Sequence, residues 1–317
     1  MTFPGAVGVS RASDHGTLSF ILENDLFYNV DRHYTNGVGL TWMPGADTAT
    51  PKWAVTAFRL LPWVPRQGEV RHGYAWGQSM FTPSDIRVKN PPPEERPYAG
   101  WLYGSIGLGV ESGRQLDRFS LTIGIVGPAS QAEKCQKIVH EIIGSDDPKG
   151  WDTQLENELG LVLAYQHSWR EFAATTLIGN RLDVTPHVGA ALGNVYTYGN
   201  AGLTLRYGPR LPSDYGPPRI QPGLLGSANF TPPADFGWYL FAGVEGRLVG
   251  RNIFLDGNTF RDSRSVDKEY LVGDLQCGLV LDWPKVRVSY THVLRTREFR
   301  TQDGSDDFGA FSVSVKF

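Results

Sequence analysis

The chain has 317 residues, of which 20% are charged and 12% aromatic, with 37 glycines and a formal net charge of −3. No stretch approaches about 18 consecutive apolar residues, which excludes a helical membrane span. Near-neutral charge without a basic block gives no electrostatic signature of nucleic-acid binding. The mean hydropathy of −0.27 fits a soluble protein and a transmembrane β-barrel equally well, because the lumen residues of a barrel are polar.

The N-terminal residues 1–16 lack the basic start and the apolar core of a secretory signal, and we treat them as an extension ahead of the first strand. Alternation of apolar and polar residues begins at residue 17, where Leu18, Phe20 and Leu22 share one face. In later segments the face opposite the apolar residues carries mainly Gly, Ser and Thr. These segments span residues 37–43, 104–110, 119–126, 159–168, 182–193, 203–207, 238–248 and 271–283.

Two architectures give strands a different environment on each face: a transmembrane β-barrel and a soluble β-sandwich. The exposed face of a sandwich is usually rich in Lys and Glu rather than in small residues, which favours the barrel. A membrane barrel also explains the tryptophans near segment ends as aromatic girdles, and the alternating C-terminal residues 311–317 that finish on Phe317. The girdle candidates are Trp42, Trp53, Trp63, Trp101, Trp169, Trp238 and Trp283.

We therefore predict an all-β protein in which residues 1–317 form a single transmembrane antiparallel β-barrel domain. About twelve strands are expected, because bacterial single-chain barrels have even strand numbers. Long spacers lie at residues 82–99, 129–158, 208–235 and 252–269. Since outer-membrane barrels carry their long loops on the extracellular side, we expect all four spacers there.

A helix interrupts the alternation within the 129–158 loop. Pro128 ends a strand-like run, Ser130 is a potential N-cap, and residues 131–143 fit a helix that ends at Gly144. Near the rim, this helix is expected to cap the barrel. Glu133, Gln136 and His140 share one helical face. An imidazole beside a carboxylate and an amide makes this face the candidate chemical site.

Several short motifs follow one another in a fixed order. They are Glu23-Asn24-Asp25, Tyr34-Thr35-Asn36-Gly37, Thr82-Pro83-Ser84, Arg96-Pro97-Tyr98-Ala99-Gly100, Gly127-Pro128 followed by Gln136 and His140, and the segment GW-x-x-Q-x-E-N at 150–157. In this order the motifs resemble those of the outer-membrane lipid A 3′-O-deacylases. The resemblance implies a twelve-stranded barrel with a calcium-dependent site near the outer rim, which removes the 3′-linked acyloxyacyl chain of lipid A.

The resemblance implies roles for individual residues. His140 becomes the general base, and Gln136 its neighbour on the helix. The site residues at the ends of the first two strands are Asn24, Asp25 and Thr35. Calcium ligands are expected from Asn24, Asp25 and the nearby acidic residue Asp146. Arg87 and Lys89 flank the place where the family has a lysine, so either one supplies a cation for substrate binding.

The chemistry agrees with these roles. Ester hydrolysis needs an activated water or nucleophile, and positive charge or hydrogen-bond donors where the carbonyl oxygen becomes anionic. The chain has no Gly-x-Ser-x-Gly motif. A histidine with a calcium ion meets both needs. The alternative within this class makes the Thr35 hydroxyl the nucleophile.

Simpler interpretations stand beside these. Taken alone, His140 is a surface-helix histidine, the Asn24-Asp25 pair an Asx turn, and the acidic cluster at Asp146 a plain turn. At the level of function we weigh three classes: an outer-membrane lipid A deacylase, a barrel that hydrolyses phospholipid esters, and a non-catalytic barrel. Lipid A, as part of lipopolysaccharide, and other outer-membrane lipids are the expected partners, and the barrel is expected to be monomeric.

Two further expectations concern residues away from the site. Arg206, Arg247 and Arg287 share the inward parity of their strands, so we expect lumen ion pairs with acidic residues. His187 is expected to form a hydrogen bond in the lumen. The acidic partners named by parity are Glu245, Asp274 and Asp282, and the cysteines Cys135 and Cys277 are expected to be free.

Overall fold

The computed structural model describes residues 15–24, 33–45, 48–60, 64–65, 68–215 and 235–317. Thirteen antiparallel strands form one sheet in the order β6-β5-β4-β3-β2-β1-β13-β12-β11-β10-β9-β8-β7, and a further pairing of β6 with β8 closes it into a barrel. The elements in chain order are β1 (Gly16–Asn24), β2 (His33–Pro44), α1 (Lys52–Arg59), β3 (Glu69–Thr82), β4 (Ala99–Ser112), β5 (Gln115–Val126), α2 (Ala132–Ile143), β6 (Glu158–Trp169), β7 (Ala173–Leu177), β8 (Asn180–Gly193), β9 (Tyr196–Gly208), β10 (Gly237–Asn252), α3 (Ile253–Asp256), β11 (Leu271–Asp282), β12 (Val286–Arg295) and β13 (Asp306–Lys316).

Strand β7 continues the line of β6 after a break. Residues 187–193 of β8 pair with β6, and residues 180–184 of the same strand pair with β7. Glu171, between β6 and β7, has φ +50°, which an extended strand does not allow. The wall is therefore a closed twelve-stranded barrel with one extra strand, as the sequence predicted.

The predicted two-faced strands are confirmed. In β1, Ser19 and Ile21 face the lumen and are buried, whereas Phe20 faces outward with 43% of its surface exposed. Small lumen hydroxyls pair across neighbouring strands, as between the Oγ atoms of Ser19 and Ser314 at 2.7 Å. Among the residues with described coordinates, no helix is both long and apolar enough to cross a membrane.

The lumen is filled by side chains rather than open. Phe254 of α3 stacks on Phe81 of β3 at a ring-centroid distance of 4.1 Å. Trp101, which we predicted in an outer girdle, lies in this core with 3% exposure, so that prediction is wrong. Its position follows from strand parity, which is independent of its distance from the strand end.

Lumen ion pairs are present as predicted, but the two carboxylates that pair with Arg206, Asp183 and Asp214, were not among the predicted partners. Arg206 pairs with Asp183 at 2.6 Å, and Arg287 pairs with Asp282 at 2.6 Å. Asp214, from the segment after β9, lies between the two arginines and is paired with each of them. Arg247 pairs with Asp274 at 2.9 Å, and His187 Nε2 lies 3.0 Å from Glu245 Oε2.

The long loops do not all lie at one rim. Val126, where β5 ends before α2, pairs with the first residue of β6, so these residues define the α2 rim. Gly208, where β9 ends, pairs with Arg181 at the start of β8, at the opposite rim. The expectation that the 208–235 spacer lies beside the helix is therefore wrong. Strand direction alternates along the chain, and this alternation decides the rim whatever the loop length.

Candidate active site

Helix α2 starts without the predicted cap. Ser130 ends a short 3-10 turn, Pro128–Ser130, and Gln131 occupies the N-cap position with φ +60° and no side-chain cap. The Ser130 side chain is buried instead, so the N-cap prediction was wrong. The predicted end is confirmed: Gly144 adopts φ +72° and its backbone N–H donates to the His140 carbonyl.

The helix lies on the outer wall of the barrel and does not cap the lumen, contrary to our expectation. Gly100 of β4 faces outward, and a Cβ atom there would overlap Ser130 and Ala132. Gln78 of β3, also outward-facing, donates from Nε2 to the Ser130 carbonyl oxygen at 2.7 Å. Met80 has the lipid-facing parity of its strand yet is 2% exposed, because α2 covers it.

A cavity of about 500 Å³ lies between α2 and the outer face of β1 to β3. Its wall is mostly apolar, with four polar side chains among the lining residues, and such a composition suits a lipid chain with one reactive polar group. The lining residues are Leu22, Asn24, Asn36, Val38, Met80, Cys135, Gln136, Val139, His140 and Ile143.

His140 is held in one orientation. Its Nδ1 atom lies 2.5 Å from the backbone carbonyl oxygen of Asp146, and the residue is 4% exposed. Because a carbonyl oxygen only accepts hydrogen bonds, Nδ1 carries the proton, and in the neutral ring Nε2 carries the lone pair. This is the tautomer that a general base requires at Nε2.

The predicted trio on α2 is only partly assembled. Gln136 is 2% exposed, and its Oε1 accepts a hydrogen bond from Trp151 Nε1 at 2.8 Å. Glu133 instead forms an ion pair with Lys137 at 2.8 Å on the solvent side of the helix. Gln136 and His140 thus face the barrel together, and the carboxylate of Glu133 does not join them.

The ends of β1 and β2 contribute two asparagines. Asn24 and Asn36 are register partners, and both line the cavity. The pairing of β2 with β3 shifts between Tyr34 and Asn36, so Thr35 is the extra residue of a bulge. Asn36 was not predicted as a site residue, although its parity with Val38 could have indicated it. Asp25 and the side chain of Thr35 lie outside the described residues.

Three other predicted site residues do not line the cavity. The Asp146 carboxylate is 68% exposed, with Oδ2 3.9 Å from Arg87 Nε. The Arg87 guanidinium is paired with Asp85, and this contact lowers the pKa of Asp85 and raises the pKa of Arg87. Lys89 Nζ lies 3.8 Å from the Asp152 carboxylate and is 70% exposed.

The donor atoms of the site fit part of a calcium site. Calcium takes about six to eight oxygen ligands, among them carboxylates and amide carbonyls. Asn24 and Asn36 offer amide oxygens, and Asp25 follows Asn24 in the sequence. The Asp146 carboxylate is turned toward Arg87 instead. Within the described part of the chain, no group of three or more His, Cys, Asp or Glu side chains could hold a metal ion.

The fold and the cavity together define an integral membrane β-barrel whose candidate site lies on the outer wall beside one rim. The profile of the family described as "Outer membrane protein LpxR" matches residues 2–317. The chain belongs to this family, and it is an integral protein of the bacterial outer membrane.

Solved structures with a similar fold include LpxR from Salmonella typhimurium, with a TM-score of 0.76 and 20% identity over 95% of this chain and 100% of that one. The β domain of the Bordetella autotransporter BrkA has a TM-score of 0.45 and 9% identity, covering 95% of this chain and 98% of that one. No curated protein sequence matches the chain.

Proposed function

We propose that this protein is a lipid A 3′-O-deacylase that hydrolyses the ester of the 3′-linked acyloxyacyl chain. The observation that carries the proposal is the position of His140. It is a buried imidazole with a defined tautomer in an apolar cavity, on the face of the barrel that meets lipid. Membership of the LpxR family and the motif series around residues 20–160 support the same conclusion.

In the proposed reaction, His140 Nε2 removes a proton from a water molecule, and the water oxygen attacks the ester carbonyl carbon. The resulting tetrahedral oxyanion collapses with loss of the sugar alcohol, to which the imidazolium returns the proton. Leu22, Val38 and Val139 line the part of the cavity that would accept the acyl chain. Burial of that chain holds the ester carbon beside the base.

We further propose that oxygens of Asn24 and Asp25 would hold a calcium ion. When bound, it would polarise the ester carbonyl and offset the negative charge that develops there. The part we assign to Asp146 is its backbone carbonyl, which holds His140. Arg87 and Lys89 are exposed cations on the loop beside α2, and we assign them to the phosphate groups of lipid A.

One observation bears on the other functional classes. The filled lumen disfavours a channel, because Phe81, Trp101 and Phe254 pack together inside it near the α2 rim. Activity as a monomer on the extracellular leaflet is part of the proposal. Phospholipid hydrolysis uses the same ester chemistry, so the choice of substrate is left to experiment.

The test is mass spectrometry of lipids incubated with the purified protein in mixed vesicles of lipid A and phospholipid, with calcium or with a chelator. Loss of the 3′-acyloxyacyl mass from lipid A is expected with calcium and absent in His140→Ala. His292→Ala is the matched control, since His292 is 30% exposed and does not line the cavity. Release of fatty acid from phospholipid alone would show that phospholipid is the substrate. Full activity of His140→Ala would show that His140 is not the general base.

A further inference from the structure

The indole of Trp151 and the amide of Gln136 form a buried pair behind the cavity. Trp151 is 1% exposed and packs in a small cluster with Met80, Tyr98 and Ala132. Its ring centroid lies 4.9 Å from that of Tyr98, and its Nε1–H donates to Gln136 Oε1 at 2.8 Å. Packing against these neighbours therefore fixes the position of the tryptophan independently of its hydrogen bond to the glutamine.

This contact determines which end of the amide faces the indole. An indole N–H is a donor only, so the Gln136 atom that meets it must be the oxygen. The other end, Nε2, is buried and has no hydrogen-bond partner among the residues for which coordinates are described. A buried unpaired donor destabilises the fold, and in native structures it points to a strained, catalytic or ligand-binding group.

The unpaired amide is part of the candidate site. Gln136 lies one helical turn before His140, and both residues line the cavity. A donor in this place is suited to an oxygen atom of the substrate. A water molecule attacking beside His140 would generate a carbonyl oxyanion within the same cavity.

We propose that Trp151 is a positioning residue, which orients the Gln136 amide so that its Nε2–H donates to the ester carbonyl oxygen as negative charge develops. This inference rests on the proposed ester hydrolysis. Gln136 forms no covalent bond and keeps its protons throughout. Its contribution is to the transition state, so it should appear in kcat more than in KM.

The first test is a set of single and double variants assayed on lipid A. Gln136→Met should lower kcat by about 100-fold, the scale for loss of one oxyanion donor. Trp151→Phe keeps an aromatic ring in the cluster but removes the indole N–H, and we expect a loss of about tenfold in kcat with little change in KM. The double variant should be no worse than Gln136→Met alone, because the two residues act as one unit.

Tyr98→Phe is the matched control. It removes the bond from the Tyr98 hydroxyl to the Ile86 carbonyl at 3.1 Å in the same cluster, without touching the amide. Its kcat should equal that of the wild type, whereas an equal loss in Tyr98→Phe and Trp151→Phe would show general loosening and overturn the inference. Heat-modified gel migration checks that each variant forms a barrel.

A binding measurement separates this inference from the proposed function. A long-chain phosphonate monoester mimics the tetrahedral anion, and the corresponding ether lipid does not. Trp151→Phe should bind the phosphonate about tenfold more weakly and the ether equally well. If the wild type hydrolyses lipid A and Trp151→Phe changes neither kcat nor phosphonate binding, the inference about Trp151 is overturned and the proposed function stands. No hydrolysis, with the phosphonate discrimination intact, would overturn the lipid A proposal and leave the donor assignment standing.

Discussion

The imidazole Nδ1 of His140 lies 2.5 Å from the backbone carbonyl oxygen of Asp146, on the turn that follows its own helix. The orientation of the candidate base therefore depends on a main-chain turn and not on the nearby carboxylate. Gly144 makes the turn possible with φ +72°, and Ser145 N donates to the His140 carbonyl at 3.0 Å. The end of α2 and the candidate site are thus one structural unit.

Substitution of Gly144 by Ala should disturb the site through this turn. The left-handed conformation strains any Cβ, so we expect a loss of stability of about 1 kcal/mol and a clear fall in activity as the Asp146 carbonyl shifts. Gly113→Ala is the control, since Gly113 has φ +62° and equally open surroundings in the β4–β5 turn at the other rim. Denaturant unfolding and lipid assays should show similar destabilisation of both, with activity lost only in Gly144→Ala.

Close packing of α2 on the wall is expected to depend on Gly100. Gly100→Val places a side chain where Ser130 and Ala132 now lie, so the helix should be pushed outward and the cavity opened. Activity should fall by about 100-fold, the scale expected when a catalytic group is displaced by an ångström. Gly104→Ala, on the same face of β4, meets its nearest atom at 3.7 Å and should be neutral. Equal activity of the two variants would contradict this account of how α2 is held.

Asp214 should contribute strongly to the stability of the barrel. It lies between Arg206 and Arg287, and all three side chains are almost fully buried. Asp214→Ala leaves buried positive charge without its shared partner, which costs about 3–5 kcal/mol in comparable pairs. The measurement is thermal or denaturant unfolding, with Asp267→Ala as the control because Asp267 is 84% exposed. Hydrolysis per folded molecule should stay unchanged, since the network lies away from the cavity.

Cys135 offers a chemical probe of the cavity that it lines. Burial raises the pKa of its thiol, and only the thiolate reacts with maleimide. In a Cys277→Ser background, labelling should be slower at pH 7 than for a free thiol, and the pH at which labelling reaches half its maximal rate should lie above that of a free thiol. A bound phosphonate should slow the reaction further. A rate equal to that of a small-molecule thiol, unaffected by the phosphonate, would show that Cys135 lies outside a closed cavity.

The barrel was predictable because alternation is a local property of the chain. The alternation of apolar and polar residues identified β1, β5 and β6. Twelve wall strands were expected because bacterial single-chain barrels have even strand numbers. β3 was not singled out because its outward residues include His72, Tyr74 and Gln78, which interrupt the apolar face. These polar residues contact neighbouring elements, as Gln78 does with Ser130. Their role becomes visible only when those elements are in place.

The sequence by itself determined the class of fold, the end of α2 at Gly144, and a set of site predictions of which three residues line one cavity: Asn24, Gln136 and His140. These features depend on short-range periodicity, on the backbone freedom of glycine and on residue type. The tertiary structure alone decided that α2 lies outside the barrel, that Asn36 of β2 lines a cavity shared with α2, and that a carbonyl sets the His140 tautomer. Each of these depends on strand register or on a loop returning to a distant segment, and such contacts are not encoded in the spacing of neighbouring residues.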